Sequence, residues 1–208
     1  MDFLYIRFFV IKNPILVFKN LGEKKMKLET MMKETMSLIN VLIDEMDFSP
    51  YIIDDRVSGI VASKACTMLD VQAPVYFEEL GESTLGRHSY CLTNNGTLSV
   101  VQINECLSPS NVAELYKKDK NSAIFFFGRI FEAVLHEYRH VFQRKTKMYS
   151  LEYIKSSEDY DNYRNQACEI DAREWASKTW KENGAQLLSA IFNFLEDLYF
   201  DLLEDGWK

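Results

Sequence analysis

One segment limits what this chain can become. From Ser122 to about Lys145 run Ile124, Phe125, Phe126, Phe127, Ile130, Phe131, Val134, Leu135, Val141 and Phe142, apolar on nearly every side of a helix. Such a helix has to be central. In its middle stand His136 and His140, two of only 3 histidines in the chain, with Glu137 between them. Imidazoles four residues apart leave the same side of a helix one turn apart and can close on a single ion. Burying these groups without such a partner would strand them at a cost of about 1–3 kcal/mol each. The segment therefore predicts a metal centre on a buried helix.

The rest of the chain supplies covers for that helix. Between Met26 and Met46, apolar residues recur at Leu28, Met31, Met32, Leu38, Ile39, Leu42 and Ile43, the three-and-four spacing of one helical face. Ser49-Pro50 ends this helix, and a second is expected over Val57 to Leu69. Pro74 to Phe77 reads as a short strand. His88 to Thr93 and Thr97 to Asn104 flank Asn94-Asn95-Gly96, a turn that supplies the positive φ angles of a tight antiparallel hairpin. A short helix is expected over Asn111 to Lys118, after Ser108-Pro109-Ser110. Two more are expected over about Asp159 to Lys181 and Gln186 to Glu204, with Asn183-Gly184 as a stop between them. The fold class is α+β: mostly helical, with a small antiparallel sheet (hairpin about 88–104) beside the active-site helix (about 122–145). With 8 Gly and 4 Pro in 208 residues, too few breakers are present for a many-stranded sandwich.

Charge excludes another class. With 24 basic against 31 acidic residues the chain is at −7, the wrong sign for a dedicated nucleic-acid binder, so no direct nucleic-acid contact is expected. Cys66, Cys91, Cys106 and Cys168 form no Cys-x-x-Cys pair, and a domain of this size needs no disulfide staples. They read as reduced thiols of a cytoplasmic protein. Phe3 to Phe18 is apolar but interrupted by Arg7, Lys12 and Pro14, too short and too charged for a membrane span and without a signal-peptide cleavage site. Residues 1–25 carry Arg7, Lys12, Lys19, Lys24 and Lys25 against Asp2 and Glu23, a net +3 that leaves −10 for the remainder. Two readings stand for them. Gly22-Glu23 can be encoded by a ribosome-binding sequence, making Met26 the start and 1–25 a translated leader; or Tyr5 to Ile11 is an N-terminal strand. Residues 26–208 form a single domain.

Each group of the motif has chemical work to do. Neutral imidazoles leave a zinc ion its positive charge, which lowers the pKa of a bound water to ~7 and polarises a peptide carbonyl. Glu137 can take a proton from water and hand it to the leaving amine. A catalytic site needs a third protein ligand and one open position. Tyr163 and Tyr160 could donate to the oxyanion that develops on the carbonyl. Gln143, one turn beyond His140, could hydrogen-bond within the site, and Arg139 is expected to pair with an acid. His88 reads as a surface or half-buried residue.

Downstream lies Glu169-Ile170-Asp171-Ala172-Arg173-Glu174-Trp175-Ala176. His-Glu-x-x-His followed by Glu-x-Asp-Ala-x-x-aromatic-Ala resembles the glutamate-ligand zinc peptidases, the gluzincins. Within them it resembles the small phage and mobile-element ImmA/IrrE-type metallopeptidases. The likeness covers residues 97–176 and implies a zincin-like metallopeptidase domain. It makes Glu169, 29 residues after His140, the third zinc ligand beside His136 and His140. Asp171 is the alternative ligand, or a partner that steadies a histidine ring. Thermolysin-like enzymes carry such an Asp four residues after the ligand Glu; here that position is Arg173, so support must come from elsewhere. Small Ala172 and Ala176 would let this helix approach the first motif closely. The likeness further implies a strand beside the active-site helix to whose edge a peptide adds, and Leu98 to Asn104 is the candidate.

The expected function is zinc-dependent hydrolysis of a peptide bond in a protein or peptide substrate, with Glu137 and Tyr163 catalytic. The resemblance implies a regulatory protease acting on a repressor-type regulator. The alternatives are a non-catalytic regulatory or binding module that keeps the fold, and a secreted toxin-like protease.

Overall fold

The computed structural model describes residues 28–81, 84–93, 96–149 and 160–204. The candidate leader or strand at 1–25 lies outside them. Helix α1 (Leu28–Asp44) follows its expected periodicity and buries Met31, Met32, Thr35, Met36, Ile39 and Leu42. Helix α2 (Pro50–Leu69) begins about two turns earlier than expected, because Pro50 occupies the first turn, where its missing N–H has no partner to lose. Its buried Ile53, Val57, Val61, Ala65 and Leu69 repeat every four residues as one stripe. Asp70, left-handed at φ 50°, ends it.

The sheet has strands β1 (Val75–Glu78), β2 (Gly86–Thr93) and β3 (Gly96–Asn104) in the order β1-β3-β2. The hairpin is antiparallel as expected, with His88 opposite Val101 and Tyr90 opposite Ser99. The third strand makes the sheet mixed, since β1 runs parallel to β3, Val75 opposite Val101. Asn104 fastens the intervening loop by donating to the carbonyls of Leu80 (3.1 Å) and Thr84 (2.9 Å). This order overturns one expectation. β3, the candidate substrate-binding strand, is paired on both sides, and the edge of the hairpin without a strand partner among the described residues is that of β2.

After a short 3-10 turn, Ser108 caps helix α3 (Pro109–Lys118) by accepting from Asn111 N, and Asp119 caps helix α4 (Lys120–Thr146) by accepting from Asn121 N and Ser122 N. Helix α4 is the central helix, packed against α2, α3 and both hairpin strands. Helix α5 (Tyr160–Arg164) is one turn, and helix α6 (Ala167–Glu204) packs along α4.

Helix α6 runs unbroken for 38 residues, so the expected stop at Asn183-Gly184 is corrected. Asn183 turns its amide back to Thr179 O, within the helix. A Cβ at Gly184 would lie 3.0 Å from the Trp180 indole, so glycine makes room for that ring. Trp180 stacks on Phe131 of α4, centroids 4.6 Å apart and planes at 11°, while Phe127 meets Phe131 edge-on at 5.2 Å. This aromatic stack clamps α6 to α4. Phe131→Ala is expected to lower unfolding stability by about 3–5 kcal/mol in urea titrations, the cost of an unfilled aromatic cavity.

Candidate metal centre

His136 and His140 sit in the middle of α4, their rings edge to face with centroids 4.6 Å apart and Nε2 atoms 3.0 Å apart. Glu169, in the first turn of α6, is buried, with Oε2 3.3 Å from His136 Nε2 and Oε1 3.3 Å from His140 Nε2. A carboxylate in a first helical turn is favoured by the positive end of the helix dipole. Zinc bonds of about 2.0–2.2 Å to nitrogen and oxygen give tetrahedral edges of about 3.3–3.5 Å. The two nitrogens, 3.0 Å apart, and the carboxylate, which sets one oxygen 3.3 Å from each of them, are spaced within a few tenths of an ångström of those edges. Among the described residues, His136, His140 and Glu169 are the His/Cys/Asp/Glu group able to share an ion. The arrangement matches a His-Glu-x-x-His plus distal Glu zinc-binding triad and can chelate a metal ion.

Comparison with protein-family models, curated proteins and solved structures gives no match. The reading of the site therefore stands on its own geometry.

Gln143 supplies the support that Arg173 could not. Its buried amide donates to Cys168 O at 2.8 Å and to Asp171 Oδ2 at 2.7 Å. Both N–H groups being committed, Oε1 faces His140 Nδ1 at 2.8 Å and must accept from it. That fixes the tautomer of the neutral ring: the proton stays on Nδ1, so it is the Nε2 proton, shared with Glu169 in the charged ring, that a metal would replace. The same amide thus holds one ligand and the residue next to another. Gln143→Ala is expected to weaken zinc binding about 10–100-fold, read by competition with a chelating dye.

Asp171 is not a member of the ligand group. Its carboxylate takes Arg139 Nε at 2.8 Å and Nη2 at 3.0 Å, the acid pairing expected of Arg139. It reaches His140 only through Gln143. The Arg139 guanidinium also lies over the rings of Phe142 and Trp175, which explains an aromatic at position 175. Tyr163 stands half-buried on α5, six residues before Glu169.

Glu137 is buried close to the ligands. Burial pushes its carboxyl above the ordinary range, against the pull of His136 and His140, and the Glu169 charge adds to the rise. Burial would also raise Glu169, yet the bonds and charges of His136 and His140 hold it well below the usual carboxylate range. For His140, burial opposes the charged form, but the bond to Glu169 and the charges of Glu137 and Glu169 win and raise its pKa above 6.5. Zinc must displace that proton. The sign follows: a raised pKa keeps His140 protonated to higher pH, so affinity falls as pH drops through it. Dissociation constants measured between about pH 5.5 and 8 should weaken by about tenfold per unit on the acid side, with proton release in calorimetry.

Sequence reasoning missed the strand that lies beside the site. At Gly86 a Cβ would lie 3.1 Å from Glu137 Cγ and 3.2 Å from its Oε1. Glycine is what lets β2 pass against the glutamate. His88 and Tyr90 follow on the same face of the strand, and the signal that could have found them is this period of two beginning at a glycine. His88, half-buried as expected, lies 3.2 Å by Nε2 from Ser99 Oγ, on the strand that passes against Glu137.

Proposed function

We propose that the protein is a zinc-dependent endopeptidase. The observation that carries this is the buried Glu169 carboxylate facing both imidazoles, with a second buried carboxylate, Glu137, beside them. Zinc, when bound by His136, His140 and Glu169, polarises a peptide carbonyl and acidifies water. Glu137 takes the proton from the attacking water and delivers it to the leaving amine, and burial, by raising its pKa, makes it a stronger proton acceptor than an exposed carboxylate. Tyr163 is assigned as donor to the oxyanion. The substrate backbone adds to the outer edge of β2, whose residue 86 lies against Glu137.

The resemblance to ImmA/IrrE-type peptidases supports the finer reading, a cytoplasmic regulatory protease of phage or mobile-element type that cuts a repressor-type regulator. The test is hydrolysis of a proteome-derived peptide mixture. Cleavage should vanish with a chelator and return with equimolar zinc, and a zinc-loaded chain that cuts nothing would instead be a binding module.

A further inference from the structure

At 100° per residue Arg144 lies about 40° round α4 from His140 and about 20° from Glu137, two turns beyond it. It therefore extends the row of active-site residues along the cleft. Opposite this row run Gly86, His88 and Tyr90 of β2. The first meets Glu137, and the last carries the Arg144 guanidinium on its ring face. His88 lies between, its ring 6.1 Å from that of Tyr90.

Three further observations define the chemistry at this end. Three cations of α4 are neutralised, Arg129 by Glu132, Arg139 by Asp171 and Lys145 by Asp70, while Lys120, in the first turn of the helix and far from the metal ligands, lies over the Tyr116 ring. Arg144, half-buried, pairs with no carboxylate among the described residues, in a chain whose net charge is −7. The imidazole of His88 is neutral, pushed down to about 4 by burial and by the charges of His140 and Arg144, so it adds no charge of its own and leaves a ring nitrogen for hydrogen bonding. A fixed guanidinium on an aromatic platform presents its N–H fork to a planar anion.

We propose that Arg144, seated on Tyr90 and flanked by His88, forms a carboxylate-binding subsite of the cleft. It selects peptides bearing an Asp or Glu side chain, or a free C-terminal carboxylate, about two to four residues from the bond that is cut. That span is the distance along β2 from Gly86 to Tyr90 at about 3.3 Å per residue. The subsite deepens the peptidase reading and rests on it for its substrate, but its ligand preference can be measured without turnover.

The experiment has two arms on the full, zinc-loaded chain. In the first, peptide hydroxamates bearing Glu or Gln at successive positions on either side of the hydroxamate, each with free and amidated C-termini, are titrated calorimetrically. At one position Glu should bind about tenfold to a hundredfold more tightly than Gln, the scale of a charge-assisted hydrogen bond. Arg144→Gln should erase this preference and Arg144→Glu reverse it in favour of Lys, with zinc content and melting temperature as folding controls. A preference that vanishes on amidation identifies the terminal carboxylate; one that persists identifies the side chain, and either supports the subsite. In the second arm, cleavage sites in a proteome-derived peptide mixture should show the same acidic enrichment. Equal binding of Glu and Gln at every position, or a preference that survives Arg144→Glu, overturns the proposal. Hydroxamate preference without any cleavage leaves the subsite and removes the peptidase; no hydroxamate binding at zinc saturation removes both.

Discussion

Glu137→Gln should leave zinc bound and reduce kcat by about 10²–10⁴-fold, the usual contribution of a positioned acid–base group. Gln is the decisive replacement because it keeps the side-chain volume where β2 presses on it: the Cγ of Glu137 lies 3.1 Å from where a Cβ at position 86 would stand. An amide cannot take a proton from water at neutral pH, so the loss should fall on kcat while peptide binding persists. The substitution also removes a buried carboxylate that is desolvated and repelled by Glu169, so the variant should be at least as stable as the parent. Zinc by elemental analysis, melting temperature and steady-state kinetics on one preparation read all three. Cleavage at the parent rate would end the assignment of Glu137 as the base.

Glu169→Ala is expected to have the larger effect on the metal. A four-ligand zinc site is worth about 10–16 kcal/mol, so one ligand in four carries roughly 3–4 kcal/mol, or about 10²–10³ in dissociation constant. The loss should exceed that of Gln143→Ala, which only orients a ligand, and that of Asp171→Ala, which acts one bond further out through Gln143. This ranking separates the two acids of the second motif. If Asp171→Ala proved the more damaging to zinc affinity, Glu169 could not be the ligand. Removing the Glu169 carboxylate also takes away the groups facing both imidazoles, so part of the loss comes from rings that are free to turn.

Much of this was legible along the chain, and the limits have physical causes. The central helix was readable because a segment apolar on nearly every side packs at the centre, although Phe125 and Phe126 near its start remain exposed. The hairpin was readable because Asn-Gly is a local conformational instruction. The Asn183-Gly184 signal was misleading because the small side chain there answers to the Trp180 ring, which answers to Phe131, 49 residues away in sequence. Gly86 carried no signal as a turn or cap, since its reason is the carboxylate of Glu137. The edge of the sheet was misjudged because a hairpin alone does not reveal on which side a third strand joins.

The sequence by itself determined a buried helix bearing two imidazoles one turn apart with a carboxylate between them, since helical periodicity and the cost of burying polar groups act within a few residues. Only the tertiary structure decided that Glu169 faces those rings while Asp171 serves Arg139, that Gln143 ties His140 to the carbonyl of Cys168, 25 residues beyond Gln143, and that β2 passes against Glu137. Those choices depend on which surfaces meet when α6 and the hairpin pack on α4, and periodicity within one segment says nothing about its distant neighbours.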